Sequence, residues 1–387
     1  MGVPALAHDS NCDNSATTGN PPIHCEEGST STDDISIDVD GIDIDTTADG
    51  DAGRGIAAIH EGSGDITIDI GGTTSAPSTI DTTGTGSDSV ETAHAITAIH
   101  RGAGSNITIT VENTKITTTG ARSRGISSTY YGTGNSGMKI ELGSGTGITT
   151  GGNFSAGVHG YLLTDQGDLD VDLLDGTSIT TKGATAYALE LTHGKTAGNG
   201  NLLLDLTGTS LETQGTQNAH GVYASHGGTG NIEIRAPTNG GSITTRGKRS
   251  SGITAVSGNG NSNIIIDLTG LRITTESTDT SANSYGVAAW NKDTGNTDID
   301  VRGGFIKTSS ENSYGLYGLH YGKNSAPLEV FGNINIATHD NHAITTTGPT
   351  GHGIVAYHNG TADTDRRIDI TVGGTITTSG TDAQGVR

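Results

Sequence analysis

Apolar side chains along this chain fall mostly at every second position, in short runs. "DITIDI" (Asp65 to Ile70) and "NIEI" (Asn231 to Ile234) alternate apolar and polar residues, and glycine- and asparagine-rich turns separate such runs. A period of two is the signature of a strand with one buried face, and almost no 3.6-residue pattern appears anywhere. The runs also recur in a fixed order. The threonine of an Ile-x-Thr phrase, with Leu211 in place of Ile in one copy, falls at Thr46, Thr82, Thr118, Thr150, Thr181, Thr213, Thr245, Thr275, Thr308, Thr346 and Thr378, at spacings of 30 to 38 residues. A Gly-Ile or Gly-Val step follows in most copies, as at Gly55-Ile56, Gly221-Val222 and Gly252-Ile253. A Gly/Asn turn and a third alternating run complete the unit.

Three short strands per unit, repeated along nearly the whole chain, predict an all-β parallel β-helix of about eleven coils, roughly 50 Å long at the inter-strand spacing. A β-propeller needs about four strands in blades of 40–50 residues, which fits these units less well. The helix is expected over residues 33–387, with 1–32 as an N-terminal segment that caps the exposed edge.

Alternation also assigns the threonines to faces. In Ile243-Thr244-Thr245, an inward Ile243 carries Thr245 inward with it. The anchor is threonine in all eleven copies, whereas the middle position varies among Asp, Thr, Glu and Lys. An ice-binding surface needs the reverse, a regular outward grid. The inner threonines therefore read as a hydroxyl ladder at a corner, bonded to one another or to turn backbone.

Composition sharpens this reading. The 387 residues include 62 Gly but only 3 Phe and 1 Trp, fewer large apolar side chains than an ordinary globular core of this length carries. The formal net charge of −22 argues against nucleic acid or an anionic membrane as partner. Cys12 and Cys25 lie close together near the start, a spacing that suits a local disulfide in an extracytoplasmic protein and matches no standard zinc pattern. No apolar run is long enough to span a membrane. "PALA" (Pro4 to Ala7) is similar to the end of a signal peptide whose earlier part is replaced. "TITTSGTDAQGVR" opens a further repeat and stops inside it, which predicts continuation beyond Arg387.

Two outward columns carry the candidate chemistry. Asp38, Asp69, Thr110, Glu141, Asp172, Asp205, Arg235, Asp267 and Asp300 form an acidic column, read first as a solubilising surface and second as a cation or basic-partner face. It matches no Gly-Gly-x-Gly-x-Asp calcium repeat, and no metal or other cofactor is predicted. The second column, Ile59, Ile99, Thr129, Tyr161, Ser225, Val256, Trp290, Leu319 and Tyr357, is less polar. Its C-terminal part gathers Trp290, Tyr317, Leu319, Tyr321 and Tyr357 as a candidate recognition surface, unless the loops near Ser277–Ser284 and Ala326–His342 cover it. Arg246, Lys248 and Arg249 on one turn form a basic contrast suited to an acidic partner or glycan. His60, His100, His226, His320 and His358 recur at one strand end, with His193 less well aligned. Only His60 and His100 are expected in consecutive coils, which favours hydrogen-bonded turn histidines over a zinc site. The acids are spread evenly along the stack, and no nucleophile elbow, His-Glu-x-x-His or phosphate loop is present, so no enzyme is predicted.

"GVYASHGGTGNIEI" (Gly221 to Ile234) and "GIAAIHEGSGDITIDI" (Gly55 to Ile70) resemble coils of classical autotransporter passenger domains. The resemblance covers roughly residues 33 to 387. It implies a pertactin-like right-handed β-helix, exported through its own C-terminal outer-membrane barrel, which lies outside this sequence. The His-x-Gly-x-Gly turn is also similar to that of bartonella proangiogenic passengers, growth-factor mimics that act on host endothelial receptors. No additional protease domain, as serine-protease passengers require, is found. The expected function is that of a monomeric, secreted or surface-displayed adhesin binding a host cell-surface protein or glycan. A receptor-activating effector is the rival, and a polysaccharide-active enzyme the third reading.

Overall fold

The computed structural model describes residues 7–8, 12–13, 22–46, 53–84, 93–194, 196, 198–238, 240–258, 261–277, 283–292, 294–321, 332–359 and 367–387. Every regular element among them is a β-strand. The strands form three sheets of 12, 11 and 12 members, and parallel neighbours are one coil apart in sequence. The first sheet contains Ile35–Asp40 and ends with Ile368–Val372, the second runs from Asp43–Asp45 to Thr375–Thr378, and the third contains Ile23–Glu27 and ends with His352–Asn359. Pairing is parallel throughout, except that Ala7–His8 and Cys12–Asp13 add antiparallel to Ile35–Asp40 and Ile23–Glu27. The molecule is thus a parallel β-solenoid with three strands per coil, about 48 Å over ten inter-strand steps.

The N-terminal strands occupy the edge that the first coil would otherwise leave open. Cys12 stands opposite Cys25 in that ladder. Cys25 is buried and disulfide-bonded, and Cys12 is the only other cysteine of the chain. Because Ile23–Glu27 already pairs in parallel with Ile56–His60, the solenoid begins ahead of the expected boundary at residue 33.

In the second sheet, alternation puts one isoleucine or leucine per coil into the interior. Ile80, Ile116, Ile179, Leu211, Ile243 and Ile273 are all buried, each contributing about 1.5–3 kcal/mol by leaving water. The Gly of the Gly-Ile step exists because of them. A Cβ on Gly252 would lie 2.3 Å from Cγ2 of Ile273 in the next coil and 2.6 Å from the Gly286 carbonyl oxygen.

The anchor threonines face inward as their parity requires, and from Thr46 to Thr346 all are buried. Their partners are turn carbonyls, not one another. Thr46 donates to Gly53 O (2.8 Å), Thr82 to Ala93 O (2.9 Å), Thr118 to Ser123 O (3.1 Å) and Thr213 to Ala219 O (2.8 Å). The hydroxyls of Thr150, Thr245, Thr275 and Thr308 are buried without a partner among the described residues.

Two further ladders lock the other corners. At the turn before the first sheet, each Asn side chain accepts the backbone N–H of its counterpart in the next coil: Asn231 N to Asn201 Oδ1 (3.0 Å), Asn263 N to Asn231 Oδ1 (3.1 Å), Asn296 N to Asn263 Oδ1 (2.8 Å). At the end of the third-sheet strands runs an inward column that includes His60, His100, Tyr130, His193, His226, Asn291, His320 and His358. His193 is therefore in register, and three consecutive pairs stack: His60–His100 at 5.0 Å, His193–His226 at 4.5 Å and His320–His358 at 4.8 Å between centroids. His226 Nε2 donates to Gly200 O (2.7 Å) while its Nδ1 accepts the Gly228 N–H (3.0 Å), the pattern of a neutral imidazole closing a turn. Burial pushes His193 down to about 4. Ring nitrogens of His60, His100, His193, His226 and His320 bond turn carbonyls in this way, and among the described residues no group of three metal-ligating side chains converges.

Candidate functional site

The outer face of the third sheet carries three columns of side chains. One was not legible from the Gly-Ile step alone: the residue before that glycine or its alanine equivalent, which includes Arg54, His94, Arg124, Tyr187, His220, Ser251, Tyr285, Tyr314 and His352. Its enrichment in rings and arginine was the available signal. The other two are the column of Tyr223, Thr254, Ala288 and Tyr317, and the column of Ser225, Val256, Trp290, Leu319 and Tyr357.

Side-chain size along these columns shapes the surface. Tyr187, His220 and Tyr223 pack as one aromatic group, with Tyr187 and His220 stacked at 5.5 Å. The next coil presents only Ser251, Thr254 and Val256. Beyond it rises a second group: Tyr285 lies 5.0 Å from Tyr317 and 5.4 Å from Tyr314, and stands edge-on to Trp290 at 6.1 Å. The small coil between the two groups is a notch of about 340 Å³. Ser251 and Thr254 form its floor, His220 one wall, and Tyr285 with Trp290 the other. Asn218, Arg249 and Asn283 complete the lining. Asn218 and Arg249 hold corresponding left-handed turn positions, with φ of 47° and 54°.

The notch is polar in an uneven way. Burial pushes His220 down to about 4, and its Nδ1 accepts the Ser251 N–H at 3.1 Å, so the ring is neutral at pH 7. Burial pushes the Tyr285 phenol up to about 12, against a 3.3 Å hydrogen bond from Asn283. Arg249 brings the notch its charge, and no Asp or Glu is among the lining residues. Two buried polar atoms of the lining, the Thr254 hydroxyl and Trp290 Nε1, have no partner among the described residues. Such groups cost free energy until something meets them.

The sequence-predicted residues divide. Trp290 and Arg249, expected as members of separate patches, line this one notch. Tyr317 backs the wall through Tyr285. Tyr321 and Tyr357 are exposed, the latter at 53%, farther along the same face. Leu319 is a correction: it faces out by parity but is only 4% exposed, because it stands in the ladder between the larger Trp290 and Tyr357. Arg246 is another. It is ion-paired with Glu212 and lies 3.3 Å from Glu276, acids of the coils before and after it, so it is not an open basic contact. Lys248 is exposed on the turn but does not line the notch. Of the loops expected to cover this face, residues 278–282 of the first and 326–331 of the second lie outside the described residues, whereas Ile334–Thr338 of the second is a strand of the first sheet.

The acidic column is continuous in register from Asp38 to Asp300. Cations relieve it locally: Lys139 Nζ lies 3.1 Å from Glu141 and 3.4 Å from Asp172. Asp69 is raised by burial and then by its acidic neighbours, Asp38 first.

A second notch, of about 260 Å³, lies on the same face four coils nearer the N-terminus, between His94, Arg124, Tyr131 and Tyr161. There Arg124 lies 3.7 Å from Glu190, so its charge is already met. The chain matches no protein-family model, no curated protein and no solved structure.

Proposed function

We propose that this chain is an exported bacterial β-solenoid, an autotransporter-type passenger, that binds a molecule of the host cell surface through the outer face of its third sheet. The notch between the two aromatic groups carries this reading. Aromatic side chains with few rotatable bonds, held on a stiff ladder, form a recognition surface at low entropic cost. The lining has no carboxylate, which suits a binder better than a glycoside-cleaving site. The disulfide of Cys25 supports an oxidising compartment, and the resemblance of the coils to passenger domains supports display outside the cell as a monomer.

The test is binding of the fluorescently labelled chain to cultured host cells, beside a Trp290→Ala/Tyr357→Ala variant with an unchanged circular dichroism spectrum. Saturable binding that the variant loses is expected. Binding of equal strength by both proteins would remove this face from the proposal, and no binding by either would remove the adhesin reading.

A further inference from the structure

We infer that the notch at Ser251 and Thr254 takes a carboxylate-bearing sugar unit, so that the host ligand is an anionic glycan. This deepens the binding reading above and uses the same surface. Four observations converge on it. First, the walls offer ring faces. His220 stacks on Tyr187 of the preceding coil, and Tyr285 packs on Tyr314 and Tyr317 of the following one, which leaves one face of each turned toward the coil between. Walls two coil steps apart stand about 10 Å from each other, room for one pyranose ring whose apolar C–H face lies on an aromatic.

Second, the unpartnered groups are of the kind sugar hydroxyls satisfy. Thr254 is 3% exposed and its hydroxyl has no partner among the described residues, and Trp290 Nε1 is buried in the same state. A hydroxyl both donates and accepts, so a ring bearing several meets both groups. Third, the volume of about 340 Å³ falls at the small end of ligand sites and fits one ring with its substituents.

Fourth, the charge is specific. In a chain of 42 acidic and 20 basic residues, the notch contains an arginine and no acid. Among the described residues no carboxylate lies within ion-pair distance of Arg249, whereas Arg246 on the same turn is held by Glu212 and Glu276, and Arg124 of the second notch faces Glu190. Arginine's planar fork matches a carboxylate in two parallel hydrogen bonds.

Trp290 is the single tryptophan, so its emission reports occupancy directly. The whole chain would be titrated with the methyl glycosides of N-acetylneuraminic acid, glucuronic acid and galactose, with saturation-transfer NMR as the second readout. Saturable binding of one or both acidic glycosides is expected, with the neutral glycoside weaker by about tenfold or more. Which acid binds separates a sialic acid from a uronate source. Arg249→Gln should bring the acidic glycoside down to the neutral level, and Thr254→Val should weaken all three. Equal binding of acidic and neutral sugars, an unchanged affinity in Arg249→Gln, or no saturable change at millimolar sugar would each overturn the inference. Cell binding that requires Trp290, survives enzymatic removal of sialic and uronic acids and is abolished by protease would identify a protein ligand. That result would end the glycan inference and leave the proposed function intact. Absence of cell binding with a positive glycoside titration would do the opposite.

Discussion

Thr213 and Thr245 are paired neighbours in one ladder, both fully buried, and differ in one hydrogen bond. The Thr213 hydroxyl donates to Ala219 O at 2.8 Å, while that of Thr245 has no partner among the described residues. Valine has nearly the same shape, so Thr→Val at either site changes polarity without opening a cavity. At Thr213 the substitution removes a hydrogen bond and leaves a turn carbonyl short of its donor, a loss of about 1–3 kcal/mol. At Thr245 it removes a desolvated hydroxyl that nothing compensates, and stability should rise by about 1 kcal/mol. The two variants should therefore differ by about 2–4 kcal/mol with opposite signs. Urea unfolding with unchanged slope would measure this, and native-state amide exchange of the strands around Leu211 and Ile243 would localise it, since a solenoid's stability is a sum over neighbouring coils. The substitutions should be tested singly, because adjacent sites couple. Equal effects of the two variants, or a larger loss for Thr245→Val, would refute the assignment of the threonine column to turn closure.

Further predictions concern the corners, the edge and pH. Gly252→Val should destabilise by about 3 kcal/mol or more, because its side chain meets Ile273 and the Gly286 carbonyl, and thermal unfolding against Gly252→Ala would grade the clash. Reduction of the Cys25 disulfide should lower stability by about 3 kcal/mol and expose the first parallel edge, read as faster light-scattering growth in the reduced protein. Acidification should destabilise the fold: His193 is neutral in the folded chain down to about 4 and binds a proton near 6.5 once unfolded. Its contribution is complete above 6.5 and lost as pH falls toward 4, about 2 kcal/mol by pH 5. His94, held down to about 3 by burial, then Arg124 and Arg54, acts in the same direction. Asp69 and Asp170, raised by burial and acidic neighbours, oppose this at more acid pH. Stability unchanged or higher at pH 5 than at pH 7.5 would contradict the buried neutral histidines.

The repeat, the three strands per coil and the inward threonines were determined by the sequence itself, because alternation is local. A residue and its neighbour two positions away share a face wherever the strand lies, so parity needs no knowledge of the partner strand. The Gly/Asn turns were visible for the same reason, but the bonds the asparagines make upward to the next coil were not. Each side chain on a solenoid face has its closest outward neighbours one coil away, some 30 to 38 residues off in the chain. Only the register between coils decides which side chains those are. That register covers Leu319 between Trp290 and Tyr357, and sets Arg246 between Glu212 and Glu276. It also places Arg249, Tyr285 and Trp290 around one coil of small residues. Facing direction is encoded within a strand, whereas exposure and charge pairing depend on the size and sign of side chains in the coils above and below, and these only the stacked structure brings together.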